Sequence, residues 1–263
     1  MTTSVHSIAK KAKKATPEEY LNSSIIRFGR HDDYIKEKLL VDFFAIKGNL
    51  MIVEGLKIHI KDRLEFFKET AKIRILDVGP AIGAISTLLV LQALEKFSLL
   101  EKSQVYLLDA SQRVIDKTQE GNFFYPSSIL DQDLKPKLIK KIKSSRAEMG
   151  LADKIPWDND YFDITLSGFL FHHLHRDIKP LAAKEIMRTL APNGFLGVAE
   201  EWFDDYAEEY AKHHKNDQIP LAYEDIISYA DLAMMFPDLD IFFTYGTDYK
   251  EHCYTFCGVK RNV

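Results

Sequence analysis

The sequence predicts an α/β fold in which a mostly parallel sheet carries helices on both faces. Three observations predict it. Short, nearly continuous apolar runs, which are typical of buried parallel strands, alternate with stretches of helical periodicity. The first of these runs, 73–78, leads through a glycine-containing bend straight into an apolar helical segment. Two further strand-like runs, 240–245 and 253–259, are joined by a polar turn and predict a hairpin.

The composition bounds the size of the protein and its partners. With 263 residues, 46% of them hydrophobic, the chain can bury a full core, and we expect one domain with an appendage. The net charge of −4 gives no general case for nucleic acid or an anionic membrane, and we interpret the basic runs Lys10–Lys14 and Lys135–Arg146 as solvated tails or faces. Cys253 and Cys257 are too few for a disulfide framework and do not form a C-x-x-C motif.

Nothing in the sequence predicts a membrane segment. The N-terminal residues lack the apolar run of a signal peptide, and no run of about twenty apolar residues is present. We therefore expect a soluble, cytoplasmic protein.

The region before the first strand predicts a helical appendage. A capping box at Thr16–Glu19 predicts a helix start, and helical periodicity continues over 32–46 and 49–70. We therefore divide the chain into an N-terminal helical lid or appendage, residues 1–70, and an α/β domain, residues 71–263.

The bend after the first strand is the centre of the predicted ligand site. Asp77 lies near the carboxyl end of that strand, Gly79 opens a tight turn, and Gly83 begins a helix whose first free N–H groups point into the crevice. A dinucleotide fingerprint would need glycine at position 81, where Ala81 would crowd a pyrophosphate that the Asp77 carboxylate would also repel. The same carboxylate suits a ligand that carries positive charge.

The next strand places a second carboxylate at the same edge of the sheet. A buried strand at 104–108 ends at Asp109, which can accept hydrogen bonds from both hydroxyls of a ribose. The alternative is that Asp109 only caps the following helix. Residues 122–142 are interpreted as an insertion near the rim of the site, with a helix at 127–142, and 145–149 predicts the third strand.

Two later strands bring titratable side chains to this edge. The segment 162–167 predicts a fourth strand, which is followed by the pair His172 and His173. A helix over 179–190 precedes the fifth strand, which ends at Glu200.

Four segments, in this order, resemble the class I S-adenosylmethionine-dependent methyltransferases. Asp77–Gly83 (Asp-Val-Gly-Pro-Ala-Ile-Gly) resembles their motif I, D/E-x-G-x-G-x-G, and Asp109–Ser111 resembles motif II. The runs 150–163 and 190–200 resemble the family's G-D-A-x-x-L-P-F…F-D and L-K-P-G-G segments. Leu151 stands where the family has the acid that receives the adenine amino group.

The resemblance implies a seven-stranded, mostly parallel sheet with an antiparallel last strand, and S-adenosylmethionine as cofactor. It implies methyl transfer to an acceptor by in-line displacement in a desolvated pocket at the carboxyl ends of the strands. The cofactor-binding residues that follow from it are Asp77, Gly79, Pro80, Ala81, Gly83, Asp109, Ala110, Leu151, Ala152, Asp153 and Ser167.

A general base is needed only if the acceptor must lose a proton. A histidine is the natural base for a phenol or an amine, so the catalytic candidates are His172 and His173, with Glu200 to orient the acceptor or to bond to a histidine. One histidine of such a pair can instead be structural. We predict no metal, because adjacent histidines on one segment rarely converge on one ion and no metal-binding spacing is present.

We expect a small-molecule acceptor and no nucleic acid. Seven aromatic side chains could line an apolar pocket for that acceptor or belong to the core: Phe123, Phe124, Tyr125, Phe169, Phe171, Trp202 and Tyr206. Two other functions stay open. Ala81 and Leu151 favour a non-catalytic nucleoside-binding protein of the same fold. An RNA methyltransferase would use Lys135–Arg146, against the acidic net charge and without a recognisable RNA-binding module.

Overall fold

The structure, a computed structural model, describes residues 16–19, 21–22, 43–81, 83–121, 129–202, 225–248, 250 and 252–262. Within these ranges the strands are β1 (Ile73–Val78), β2 (Ser103–Asp109), β3 (Arg146–Met149), β4 (Phe162–Gly168), β5 (Leu190–Glu201), β6 (Leu239–Tyr245) and β7 (Cys253–Lys260). The helices are α1 (Phe43–Asp62), α2 (Leu64–Glu69), α3 (Ile85–Lys96), α4 (Gln112–Glu120), α5 (Lys135–Lys143), α6 (Lys179–Thr189) and α7 (Tyr229–Met234).

One sheet contains all of these strands, in the order β3-β2-β1-β4-β5-β7-β6. The five strands β1 to β5 pair with one another in parallel, whereas β7 runs antiparallel to both β5 and β6. The predicted fold class, including the antiparallel last strand, is confirmed. The chain order reverses on the two sides of β1, and ligands of open α/β sheets bind at the carboxyl ends of the strands beside such a reversal.

Helices cover both faces of the sheet. On one face, buried side chains of α1, α3 and α5 form a cluster with Ile73 and Ile75 of β1. On the other face, buried side chains of α6 and α7 form a second cluster with Leu76 and Val78. The nearly continuous apolar sequence of β1 therefore fits a strand that is covered on both sides.

The two helices expected between residues 32 and 70 are divided differently in the structure. Helix α1 runs through Gly48 without a break, because glycine here permits close packing: a Cβ at this position would lie 2.8 Å from the Phe169 ring. The break comes instead at Arg63, whose backbone leaves the helical region (φ −128°, ψ 26°) and whose guanidinium donates to the Asn193 carbonyl at 2.8 Å.

The described part of the expected appendage packs directly on the sheet. Ile52, Leu56 and Ile60 of α1 are buried in the same cluster as Ile73. The division of the chain at residue 70 stays a prediction. No helix in the described ranges is both long enough and apolar enough to cross a membrane.

The predicted capping box at the start of the described chain is confirmed. The Thr16 N–H donates to Oε2 of Glu19 (2.7 Å), and the Glu19 N–H donates to Oγ1 of Thr16 (3.3 Å). Each side chain therefore satisfies an N–H group that the first helical turn leaves without a partner.

The helix expected at 127–142 begins later than predicted. Residues 122–128 lie outside the described chain, and α5 begins only at Lys135. The Asp131 carboxylate accepts the Asp133 N–H at 2.9 Å, and this local turn competes with a helix over these residues.

Candidate functional site

The bend after β1 is held in a left-handed backbone conformation. The angle φ is 70° at Gly79, 50° at Ala81, 99° at Gly83 and 46° at Ala84. Glycine adopts such angles without strain, whereas they cost alanine about 1–2 kcal/mol. Ala81 thus replaces the second glycine of the motif and still keeps a conformation that favours glycine.

The bend uses its backbone N–H groups within the protein. The Gly79 N–H donates to the Leu108 carbonyl (2.8 Å), and the Ala81 N–H donates to the Asp109 carboxylate. The Gly83 N–H donates to Oγ1 of Thr118 (3.3 Å), and the Ala84 N–H donates to the Ala81 carbonyl (3.4 Å). The helix begins at Ile85, two residues later than expected, and the Gly83 N–H donates to Thr118. The expectation that the first N–H groups of this helix point into the crevice stays a prediction. The four N–H groups of the bend cannot form the cradle by which glycine loops hold phosphate.

Asp77 lies fully buried beneath this bend. Its Oδ2 accepts a hydrogen bond from Oγ1 of Thr87 on α3 at 2.6 Å. Its Oδ1 has no hydrogen-bond partner among the residues that the structure describes. Burial raises the pKa of Asp77 to about 7, because a low-dielectric environment disfavours the charged form. The carboxylate thus retains an unsatisfied oxygen that a positively charged donor would stabilise.

Asp109 lies at the end of the neighbouring strand, two residues beyond the partner of Asp77 in the β1–β2 register. Its carboxylate accepts the N–H of Ser111 at 2.9 Å and that of Ala81. Burial raises the pKa of Asp109 to about 6. The residue in the cap position of α4 is Ser111, so Asp109 shapes the turn before the helix. Its role towards a ribose stays a prediction, as does that of the adjacent, half-buried Ala110.

The loop after β3 passes beside Asp109. The Gly150 N–H donates to the Asp109 carbonyl (2.9 Å). Leu151 is 39% exposed, and Ala152 and Asp153 are half-buried. Leu151 therefore presents an accessible apolar surface where the resembling family has a carboxylate.

Trp157, in the loop between β3 and β4, packs against the core. Its ring meets Tyr106 (5.6 Å between centroids) and Phe162 (5.3 Å) edge to face.

The end of β4 lies against the bend. Ser167 is fully buried, and its Oγ has no hydrogen-bond partner in the described part of the chain. A Cβ at Gly79 would lie 2.8 Å from Cδ1 of Leu170, so the segment after β4 touches the bend after β1. Pro80 is buried in the same bend. The predicted cofactor residues from β1 and the end of β4 therefore meet at one place.

His172 and Glu200 are brought into direct contact. Nδ1 of His172 lies 2.6 Å from Oε2 of Glu200, and Nε2 lies 3.0 Å from Oε1 of Glu201. Glu200 is fully buried, and burial raises its pKa to about 8. The His173 ring lies 3.8 Å from that of His172, between centroids, and is half-buried. Glu201, adjacent to the predicted Glu200, is the residue of this cluster that the sequence analysis did not select.

Two further charged residues were missed. Lys179 is 2% exposed, and its ammonium lies 3.0 Å from Oδ2 of Asp225, with burial lowering its pKa. The Asp225 N–H donates to the His172 carbonyl at 2.8 Å. The signal for this pair is weak in the sequence, because the two residues are separated by 46 positions and join only through the fold.

Three of the seven aromatic residues expected around an acceptor lie in the described chain. Phe171 is fully buried and packs on Phe236 (5.9 Å between centroids), so it belongs to the core. Phe169 has a left-handed backbone (φ 60°) and packs against Gly48, and Trp202 is half-buried. The other four, Phe123, Phe124, Tyr125 and Tyr206, lie outside the described residues. Among the described His, Cys, Asp and Glu side chains, no group of three or more could hold a metal ion.

Comparisons with known proteins agree with this geometry. Residues 76–198 match the family model that is described as a methyltransferase domain. Comparison with curated protein sequences gives no significant match.

Three solved structures are similar in fold. One is a 1,6-didemethyltoxoflavin-N1-methyltransferase from Burkholderia thailandensis with S-adenosylhomocysteine bound. Its TM-score is 0.56 at 14% identity, and the match covers 94% of this chain and 92% of that enzyme. The N-methyltransferase NodS from Bradyrhizobium japonicum, also with S-adenosylhomocysteine, has a TM-score of 0.50 at 12% identity, with coverages of 80% and 86%. A geranyl diphosphate C-methyltransferase from Streptomyces coelicolor has a TM-score of 0.50 at 10% identity, with coverages of 77% and 79%.

Proposed function

Because residues 76–198 match a family model described as a methyltransferase domain, we propose that the protein transfers the methyl group of S-adenosylmethionine to a small-molecule acceptor. One observation carries the proposal beyond the fold. Asp77 keeps a buried carboxylate oxygen without a described partner, beneath a bend whose N–H groups at four positions are already donated within the protein. Such a site suits a cationic nucleoside and disfavours a pyrophosphate.

The predicted residues at the carboxyl ends of the strands fit the parts of this cofactor. Asp77 supplies negative charge for its cationic portion, with the bend residues Gly79–Gly83 around it. Asp109 and Ala110 accept and enclose the ribose. Leu151, Ala152 and Asp153 would flank the adenine, with Leu151 offering apolar contact where related sequences offer a carboxylate. Ser167 would offer its buried hydroxyl from the end of β4.

The bound cofactor supplies an electrophilic methyl group. The chain contributes alignment and exclusion of water, which are the main requirements of an in-line displacement. If the acceptor must lose a proton, His173 is the residue that we assign to accept it, since both ring nitrogens of His172 face carboxylates. Glu200, which is fully buried, acts through His172.

A small acceptor is supported by the charges of helix α5. Lys137 lies 2.8 Å from Glu95 and 2.9 Å from Glu101, and Lys141 donates to the carbonyl of Ser103 (3.2 Å). These lysines stabilise the fold locally, so the basic run that would serve an RNA methyltransferase is partly neutralised. Two of the similar structures are also named for small acceptors, 1,6-didemethyltoxoflavin and geranyl diphosphate.

Isothermal titration calorimetry with S-adenosylmethionine and S-adenosylhomocysteine tests the cofactor. We expect binding of both ligands, and we expect Asp109→Ala to weaken it by about 1–3 kcal/mol, because the ribose hydroxyls lose their acceptor. The matched control is Asp116→Asn, which alters an exposed carboxylate on α4. An absence of heat for both ligands with the wild-type protein would contradict the proposal.

Metabolite extracts incubated with the protein and with S-adenosylmethionine bearing a ¹³C-labelled methyl group test the reaction. Mass spectrometry should detect a labelled small molecule. Binding of the cofactor without any labelled product, in extracts and in RNA, would favour the non-catalytic nucleoside-binding protein.

A further inference from the structure

His172 joins three parts of the chain at the methyl-donor side of the site. Its ring lies between Glu200 and Glu201 at the end of β5, and its carbonyl accepts the N–H of Asp225. We call His172, Glu200 and Glu201 the His172 clamp. The side chains of His172 and Glu200 are 4% and 0% exposed, so water contributes little to this arrangement.

The protons of the clamp follow from its geometry. A neutral imidazole has one N–H donor and one lone pair, whereas an imidazolium has two donors. Nδ1 at 2.6 Å and Nε2 at 3.0 Å each face a carboxylate oxygen. A neutral ring between two carboxylates would direct a lone pair at one of them, and burial leaves no solvent to relieve that repulsion.

Burial raises the pKa of Glu200 to about 8, but a charged His172 ring at 2.6 Å stabilises the ionised carboxylate, so the pair favours the charge on the ring over a proton on Glu200. Oε1 of Glu200 accepts the Phe171 N–H at 2.5 Å, and Oε2 accepts the His172 N–H at 3.4 Å. Hydrogen bonds donated to a carboxylate stabilise its ionised form. The other charged or titratable groups that face the clamp from neighbouring elements include Lys179, Asp225, His173 and, beside Lys179, Arg176.

We propose that His172 is a permanently charged positioning residue, and that Glu201 keeps the second proton on its ring. Held in this way, His172 fixes the turn between β4 and α6 against the end of β5. Leu170 in that turn contacts Gly79 of the bend, and His173 is the next residue after His172. The inference rests on the proposed function in one respect: the turn that the clamp fixes is the one that faces the methyl donor.

Nuclear magnetic resonance of protein with ¹⁵N-labelled histidine side chains tests the charge directly. We expect one ring, absent from the spectrum of His172→Gln, to have both nitrogens protonated between about pH 6 and 9, well above the ordinary pKa of histidine. In Glu201→Gln we expect the same ring to titrate within that range. A wild-type His172 with one unprotonated ring nitrogen at about pH 7 would overturn the proposal.

Calorimetry with S-adenosylmethionine tests the positioning. We expect the ratio of the Glu201→Gln Kd to the wild-type Kd to rise from about 1 at pH 6 to about 5–10 at pH 9, since the variant loses the ring proton over this range. Glu201→Asp, which keeps a carboxylate, should reduce this rise, and Glu69→Gln on the exposed face of α2 should not show it. A ratio that stays constant with pH would overturn the positioning role.

The two proposals fail in different ways. A wild-type protein that does not bind S-adenosylmethionine contradicts the proposed function, whereas the ring protonation remains measurable. Binding of S-adenosylmethionine together with a neutral His172 contradicts the clamp alone. If Glu201→Gln does not fold, the wild-type spectrum still decides the charge, and His172→Gln decides the positioning, since its Kd for S-adenosylmethionine should exceed the wild-type Kd and an unchanged Kd would overturn the role.

Discussion

Two buried carboxylates at the same edge of the sheet have opposite surroundings. Asp77 at the end of β1 and Glu200 at the end of β5 are both fully buried, and burial raises the pKa of each. Glu200 is surrounded by donors, from the Phe171 N–H to the His172 ring. Among the described residues, Asp77 accepts hydrogen bonds from the hydroxyl and the N–H of Thr87, and its Oδ1 has no partner. The difference separates a carboxylate whose hydrogen bonds are made within the scaffold from one that keeps an oxygen for the cofactor that we propose.

The strongest test of this comparison is the removal of the Glu200 charge. Glu200→Gln should lower the free energy of unfolding by about 3–5 kcal/mol, because the buried His172 and Lys179 lose their negative partner. Urea denaturation at neutral pH measures the change. The control Glu69→Gln should stay within about 0.5 kcal/mol of the wild type. A loss below about 1 kcal/mol for Glu200→Gln would mean that the pair is not charged in the folded protein.

Asp77→Asn should affect cofactor affinity and leave stability intact, the reverse of what we expect for Glu200→Gln. The substitution removes a buried charge that no described residue neutralises and keeps an oxygen to accept the Thr87 hydroxyl, so the ligand-free protein should be as stable as the wild type or more stable at pH 8. Its affinity for S-adenosylmethionine should fall at least about tenfold, or 1.4 kcal/mol. Thermal unfolding and calorimetry measure the two effects. A strong destabilisation with unchanged affinity would place Asp77 with the scaffold.

The two carboxylates of the proposed cofactor site, Asp77 and Asp109, also predict a pH dependence. In the folded, ligand-free protein the pKa is about 7 for Asp77 and about 6 for Asp109, against about 4 in an unfolded chain. Between about pH 4 and 7 the folded protein therefore holds more protons than the unfolded chain, and stability should decrease as pH rises through this window. Affinity for the cofactor should increase over the upper part of the same window, since binding favours the ionised carboxylates. Calorimetry and denaturation at several pH values would show whether the trends oppose each other, and parallel trends would contradict the assignment.

The smallest expected effect concerns the backbone of the bend. Ala81→Gly should stabilise the protein by up to about 1 kcal/mol, because φ of 50° strains alanine and suits glycine. Cofactor affinity should stay within about twofold, since the N–H of residue 81 still donates to Asp109. Thermal unfolding measures the first quantity and calorimetry the second. A clear loss of stability would show that the methyl group of Ala81 contributes packing that outweighs its strain.

The sequence predicted the features that depend on neighbours along the chain. The succession of strands along the chain, the capping box at Thr16 and the places of Asp77 and Asp109 at strand ends all follow from local patterns. The third strand begins at Arg146, one residue after the predicted start.

What the sequence did not reveal depends on contacts between distant segments. The Gly83 N–H is occupied by Thr118, 35 positions away, so no local reading of the motif shows that this donor is already used. The clamp forms because β5 delivers two consecutive glutamates to a histidine 28 positions earlier. Similarly, Gly48 lies inside a helix because Phe169 packs against it. In each case tertiary packing decides what a local signal means.

The hydrogen bonds that hold the bend form within the protein and do not require a bound ligand. Because Thr118, Leu108 and Asp109 already hold its backbone, the bend is preorganised, and little of the binding free energy would be used to order it. Exchange of the proposed cofactor for its demethylated product should therefore need no rearrangement of these hydrogen bonds.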